Sequence, residues 1–98
     1  MKAFISIRAE RSVERIAARW GEHADNPGVF MRELMEMIQL LETTRSPGAR
    51  VPTSRHPAAK RILLRKSRCH VYFEVDEAQE RLEIMEVWDA RRRRAPRL

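Results

Sequence analysis

The sequence has 98 residues, of which 43% are hydrophobic and 35% are charged, with a formal net charge of +6. This composition suits one domain with a modest core and a heavily charged surface. No apolar run approaches the roughly 20 residues that a membrane-spanning helix needs, and the N-terminus lacks the apolar stretch of a signal peptide. Cys69 is the single cysteine, so no internal disulfide can form and we expect a cytoplasmic protein.

The N-terminal half predicts one strand followed by two helices. Apolar residues alternate at Ala3, Ile5 and Ile7, which is typical of a strand. Between residues 13 and 20 the apolar spacing changes to that of a helix. A second helix is expected to begin at Asn26–Pro27, with Asn as N-cap and Pro at the first helical position. The short loop between the two helices predicts an antiparallel hairpin. The expected buried stripe of the second helix is Phe30, Leu34, Met37, Ile38 and Leu41.

Two methionines lie off that stripe, one helical turn apart. Met31 and Met35 either add to packing inside the fold or form an exposed apolar strip for a partner helix. Methionine side chains adapt to varied surfaces, which suits the second role.

The C-terminal half predicts three strands after a turn at Ser46–Pro47–Gly48 and an irregular segment up to Ala59. The strands are expected at residues 61–65, 69–75 and 81–88. The last of them carries apolar residues on both faces, which predicts a central position. The order β-α-α-β-β-β indicates an α+β fold, in which the helix hairpin packs on a curved antiparallel sheet.

Charge is segregated along this half of the chain. Residues 43–73 contain no acid, residues 74–89 contain seven acids and only one base, and the tail of residues 90–98 contains five arginines. Such segregation favours a polyanionic or acidic partner. The alternative is that these charges offset one another across neighbouring strands.

Two segments resemble the RelE/ParE toxins of bacterial type II toxin–antitoxin systems. Residues 61–76 are similar to the family's basic hairpin and the strand that follows it, which here reads Val71-Tyr72-Phe73-Glu74-Val75. Residues 82–92 are similar to its last strand and arginine-rich exit. The resemblance implies one toxin domain over residues 1–98, with residues 90–98 as a basic tail. It also implies neutralisation by a ParD-like or RelB-like antitoxin, possible assembly with it as a hetero-oligomer, and contact with operator DNA only through it.

The family implies two activities, each with its own residues. RelE-type members cut messenger RNA on the ribosome without a metal, and ParE-type members bind DNA gyrase without an established hydrolytic site. For the RelE type, the resemblance assigns the catalytic roles to Lys60, Arg61, His70 and Arg91. For the ParE type, it assigns target binding to Arg65, Arg68, Trp88, Arg91, Arg92, Arg93 and Arg94. For either type, the antitoxin contacts are expected at Met31, Met35 and Arg61. No metal or other cofactor is expected.

The sequence departs from the RelE pattern near its C-terminus. The tail of residues 90–98 contains no Tyr or His, and Asp89 stands where the family often has a histidine. These departures favour a ParE-like toxin that binds DNA gyrase and is not an enzyme. A RelE-like endoribonuclease is the alternative. A non-catalytic nucleic-acid-binding module and a catalytically silent family member also remain open.

Overall fold

The computed structural model of the chain describes residues 1–22, 25–44 and 47–98, which contain two helices and five strands. The strands form one sheet in the order β1-β5-β4-β3-β2, so the α+β class and the placing of both helices after the first strand are confirmed. Neither described helix is long and apolar enough to cross a bilayer. The elements are β1 (Lys2–Ile5), α1 (Ile7–Gly21), α2 (Val29–Thr43), β2 (Ala49–Arg50), β3 (Lys60–Leu64), β4 (Cys69–Asp76) and β5 (Arg81–Asp89).

The sheet is mixed, whereas the sequence predicted antiparallel strands throughout. β2 to β5 pair antiparallel, but β1 pairs parallel with β5. A parallel pair needs a long crossover connection, and the two helices lie within the connection between β1 and the later strands. The central position predicted for the last strand is confirmed, because β5 lies between β1 and β4. The short strand β2 was not predicted; it lies in the segment expected to be irregular.

The first strand is shorter than predicted, because Ser6 begins a helix. Its hydroxyl oxygen accepts a hydrogen bond from the backbone N–H of Ala9 at 3.0 Å, and the hydroxyl donates to the carbonyl of Met85 at 3.0 Å. An N-cap bond of this kind satisfies a donor that the first helical turn leaves unpaired. Ile7 therefore belongs to α1, where its side chain is exposed. The apolar alternation of Ala3, Ile5 and Ile7 thus continues to a residue two positions past the end of β1 at Ile5.

The second helix begins later than predicted. Gly28 is its N-cap and Val29 its first residue, so the prediction of Asn26 as the cap was wrong. The backbone N–H of Val29 instead bonds to the carbonyl of Asn26 at 3.3 Å, which closes a turn. The side-chain oxygen of Asn26 accepts a bond from Arg32 Nη2 at 2.8 Å. The side chain of Asn26 thus accepts a bond from an arginine side chain of α2 and not from a backbone N–H of the first helical turn, as an N-cap would.

The core lies between the two helices and one face of the sheet. Phe30, Leu34 and Leu41 of α2 are buried in it, and Met37 and Ile38 pack against it from partly buried positions, so the predicted stripe is confirmed. The strands contribute alternate residues, as pleating requires, except in β5, where a shift in register with β4 puts Ile84 and Val87 in the core three residues apart. The strand residues buried in the core include Leu64, Cys69, Val71, Phe73, Leu82, Ile84 and Val87. The other face of the sheet, here called the open face, carries Arg61, His70, Tyr72, Glu86 and Trp88, which alternate with core positions.

Gly48 lies where the chain enters β2 close to the sheet, and its replacement by alanine should destabilise the fold. The predicted turn at Ser46–Pro47–Gly48 starts outside the described residues, but Gly48 itself has φ +119. A Cβ there would lie 3.0 Å from the carbonyl oxygen of Arg61 and 3.2 Å from the ring of Phe73. We expect Gly48→Ala to lower the free energy of unfolding by about 1–3 kcal/mol, measured by urea denaturation. Gly21→Ala, which meets nothing within 4 Å, is the control and should cost almost nothing.

Candidate functional site

Arg61 and His70 lie next to each other on the open face. Arg61 of β3 pairs with Tyr72 of β4, and His70 is two residues before Tyr72 on the same strand. Residues related in this diagonal way lie within reach of long side chains. The rings of His70 and Tyr72 meet edge to face, with 6.1 Å between their centroids and an interplanar angle of 77°. The sheet therefore presents a guanidinium group beside an imidazole that packs against an aromatic neighbour.

The environment of His70 favours its neutral form. Burial lowers the pKa of the imidazole below its ordinary value of 6.5, and the positive charge of Arg61 lowers it further. Both effects act in the same direction, because each makes a second positive charge at this place unfavourable. At neutral pH the ring is thus uncharged and able to accept a proton.

Trp88 brings the C-terminal tail to this part of the sheet. It lies directly opposite His70 in the pairing of β4 with β5. The guanidinium of Arg92 stacks on its indole at 4.3 Å from the ring centroid, and the indole N–H donates to the carbonyl of Arg94 at 2.7 Å. The half-buried indole therefore packs under the tail and carries the guanidinium of Arg92 on its ring.

The structure places Lys60 on the other face of the sheet and engages Arg91 with a carboxylate. Lys60 pairs with the core residue Phe73, so its side chain lies on the core face of the sheet, whereas Arg61 lies on the open face. The guanidinium of Arg91 binds the carboxylate of Asp89 through Nε–Oδ1 at 3.1 Å and Nη2–Oδ2 at 3.2 Å. This hydrogen bonding holds the pKa of Asp89 below its usual range and raises the pKa of Arg91. Of the four residues predicted as a catalytic set, Arg61 and His70 are neighbours on the open face, Lys60 lies on the opposite face, and Arg91 binds Asp89.

A second group of cations lies at the turn between β3 and β4, here called the basic turn (residues 65–68). Arg65, Lys66 and Arg68 are exposed, whereas Ser67 is buried. The backbone N–H of Ala90 donates to the carbonyl of Arg68 at 2.8 Å, so the arginine-rich tail begins beside the turn. The predicted target-binding arginines of the turn and the start of the tail thus occupy the same end of the sheet.

Glu86 is a buried carboxylate that the sequence analysis did not identify. Its side chain is 2% exposed, yet it lies on the open face, and its Oε2 contacts Arg8 Nε at 2.8 Å. Arg8 also donates through Nη1 to the carbonyl of Arg97, and Pro96 beside it is buried. The end of the tail therefore returns to Arg8, the residue that pairs with Glu86. The only signal in the sequence is an acid within an otherwise apolar stretch of the strand.

Two further side chains, His56 and Cys69, have structural roles. His56, in the loop before β3, contacts Glu74 of β4 through Nδ1 and Oε2 at 2.8 Å, which attaches the loop to the sheet. Burial raises the pKa of the Cys69 thiol to about 11, so it is not a reactive thiolate at neutral pH. Within residues 1–22, 25–44 and 47–98, no three His, Cys, Asp or Glu side chains are grouped as metal ligands would be.

The sequence matches no protein-family model and no curated protein. Among solved structures, the chain is similar to the isolated E. coli RelE toxin, with a TM-score of 0.53 and 18% sequence identity. The match covers 92% of this chain and 84% of the toxin chain. At this level of identity the likeness establishes a shared fold.

Proposed function

We propose that this protein is the toxin of a type II toxin–antitoxin system and that it acts as a RelE-like endoribonuclease on messenger RNA at the ribosome. The pairing of Arg61 with a neutral His70 on the open face is the observation that supports this activity most directly. The fold shared with E. coli RelE supports the same assignment. The sequence favoured a ParE-like toxin because the tail lacks a Tyr or His. The proposal of an endoribonuclease rests instead on two residues that are present, Arg61 and His70.

The proposed chemistry is cleavage of RNA by its own 2′-hydroxyl group. His70 accepts the proton of that hydroxyl while its oxygen attacks the adjacent phosphorus. Arg61 stabilises the negative charge that grows on the phosphate oxygens. The bond between phosphorus and the 5′-oxygen breaks, and the leaving oxygen takes a proton from water. The products are a 2′,3′-cyclic phosphate and a free 5′-hydroxyl, so the reaction needs neither a metal nor a redox partner.

Toeprinting of a translated message in the presence of the purified protein tests this activity. We expect new stops at regular codon positions that depend on the ribosome and are absent with Arg61→Ala protein. A message that stays intact on translating ribosomes, at a protein concentration that arrests growth in cells, would rule out the endoribonuclease.

Gyrase binding is the second candidate, and one observation favours it. Asp89 binds Nε and Nη2 of the Arg91 guanidinium, so the first arginine of the tail has fewer donors and a partly neutralised charge to offer a phosphate. A toxin that binds a protein target through the rest of its tail would not need it. A supercoiling assay decides: inhibition of purified gyrase by the protein would support this candidate, and full activity with excess protein would exclude it.

The antitoxin is proposed to bind α2 through Met31 and Met35, which are 39% and 52% exposed. A helix laid on this strip would bury both side chains. Arg61, the third predicted antitoxin contact, lies on the open face of the sheet, opposite the helices, so it is not part of this strip. We expect Met31→Glu with Met35→Glu to weaken antitoxin binding at least tenfold, or about 1.4 kcal/mol, measured by calorimetry. Leu40→Glu is the control, since Leu40 is 44% exposed on the other flank of α2. Equal losses of affinity in both variants would place the interface elsewhere.

A further inference from the structure

Glu33 of α2 makes an unusual set of contacts with the basic turn. One carboxylate oxygen accepts the hydroxyl of Ser67 at 2.6 Å and its backbone N–H at 2.9 Å. The other accepts the backbone N–H of Lys66 at 2.8 Å. A single side chain thus satisfies three donors in a segment that is distant in the sequence. Charge-assisted bonds of this kind are among the stronger hydrogen bonds in proteins.

The conformation of the turn makes such support necessary. Arg68 has φ +58, a left-handed conformation that costs free energy for a residue with a side chain. Ser67 is 1% exposed, so its hydroxyl and N–H would be unpaired in a buried place without Glu33. Burial tends to raise the pKa of Glu33, but the bonds from Ser67 and Lys66 outweigh it and the pKa lies below the ordinary value. The carboxylate therefore stays ionised at neutral pH.

An acid next to a phosphate-binding surface would ordinarily weaken it. Here the three donors of the turn hydrogen-bond to the Glu33 carboxylate, while the side chains of Arg65, Lys66 and Arg68 are exposed to solvent. The same turn also receives the start of the tail through the bond from Ala90 N–H to the Arg68 carbonyl. Its conformation thus determines how the cations of the turn are placed beside those of the tail.

We propose that Glu33 is a positioning residue for RNA binding: it holds the basic turn in the shape that presents Arg65, Lys66 and Arg68 to the phosphate backbone. The proposal rests on the proposed function in taking RNA as the target. It adds to that function a role for α2. Glu33 is negatively charged and would repel phosphate, so it acts through the turn and not by contact with RNA.

The sign of the effect separates positioning from simple electrostatics. Glu33→Ala and Glu36→Ala each remove one negative charge from α2, and Glu36 is exposed and without a hydrogen bond or ion pair to the described residues. Electrostatics alone predicts tighter binding of a polyanion by both variants. Positioning predicts severalfold weaker binding by Glu33→Ala and unchanged or slightly tighter binding by Glu36→Ala. Ser67→Ala keeps every charge and should fall between wild type and Glu33→Ala.

The test measures binding of a fluorescent single-stranded RNA oligonucleotide over a range of salt concentrations. The slope of log affinity against log salt should be smaller in Glu33→Ala, by about 0.7 for each phosphate that the turn no longer neutralises. A lower global stability alone would leave this slope unchanged. Hydrogen exchange of the Lys66 and Ser67 amides should become faster in Glu33→Ala and not in Glu36→Ala.

The outcomes distinguish this proposal from the proposed function. If Glu33→Ala and Glu36→Ala change the RNA affinity equally and leave the salt dependence of binding unchanged, the positioning role is overturned, even if the protein cleaves message on the ribosome. A wild-type protein that does not bind the RNA would overturn it as well. Weaker binding and a smaller slope for Glu33→Ala would support it, even if no cleavage is found.

Discussion

Replacement of His70 by alanine should lower the rate of the proposed RNA cleavage at least about a hundredfold, which is the usual contribution of a general base. The alanine variant removes the imidazole that lies beside Arg61 and can accept a proton at neutral pH, because burial and that arginine lower its pKa. The rate is measured on a 5′-labelled message bound to ribosomes. Cells that express the variant should also grow, whereas we expect expression of the wild-type protein to arrest growth.

The dependence of the rate on pH gives a second check of the same role. A base with a lowered pKa is unprotonated over a wider range, so the wild-type rate should be constant at neutral pH. It should begin to fall only below the ordinary histidine value of 6.5, by about tenfold for each further pH unit. His56→Ala is the matched control, since His56 contacts Glu74 and not Arg61. If His70→Ala protein cleaves RNA at the wild-type rate, or if His70→Ala and His56→Ala lower the rate equally, His70 is not the general base.

The strands could be predicted from the sequence because their pattern comes from burial on one face. In β4 the core side chains Val71 and Phe73 alternate with His70 and Tyr72 on the open face. This alternation alone places His70 and Tyr72 together. The parallel pairing of β1 with β5 could not be predicted in the same way, because periodicity along one strand does not state which neighbour it joins or in which direction.

The ends of the helices were predicted less well, since they depend on single hydrogen bonds. Ser6 begins α1 because its side chain reaches the N–H of Ala9, and this overrides an alternation that Ile7 would continue. At α2 the Pro27–Gly28 turn displaces the start beyond Asn26. Two competing local signals were present in each case, and only the packed structure selects between them.

The candidate site was predictable in its composition and not in its geometry. The sequence indicated a cationic surface with His70, but the alternation of β3 also separates Lys60 from Arg61. The count of charges could not show that Arg91 forms an ion pair with Asp89 and that Arg92 stacks on Trp88. Glu33 and Glu86 were missed because an acid in a sequence does not reveal which distant donors it contacts.

Replacement of Arg8 by methionine should cost about 2–4 kcal/mol of the free energy of unfolding, because it leaves a buried carboxylate without a cation beside it. The methionine stem would keep much of the packing, while Glu86, 2% exposed, would no longer have the Arg8 Nε at 2.8 Å from its Oε2. Urea denaturation measures the change, and Arg11→Met is the control because Arg11 is exposed on the same helix.

Glu86→Gln added to Arg8→Met should restore much of the stability, since a neutral amide carries no unpaired charge into the sheet. If Arg8→Met and Arg11→Met unfold at the same urea concentration, the pair of Arg8 and Glu86 contributes nothing to stability. The tail must then be held over the open face by the burial of Pro96 and by the bond from the Trp88 indole to the carbonyl of Arg94.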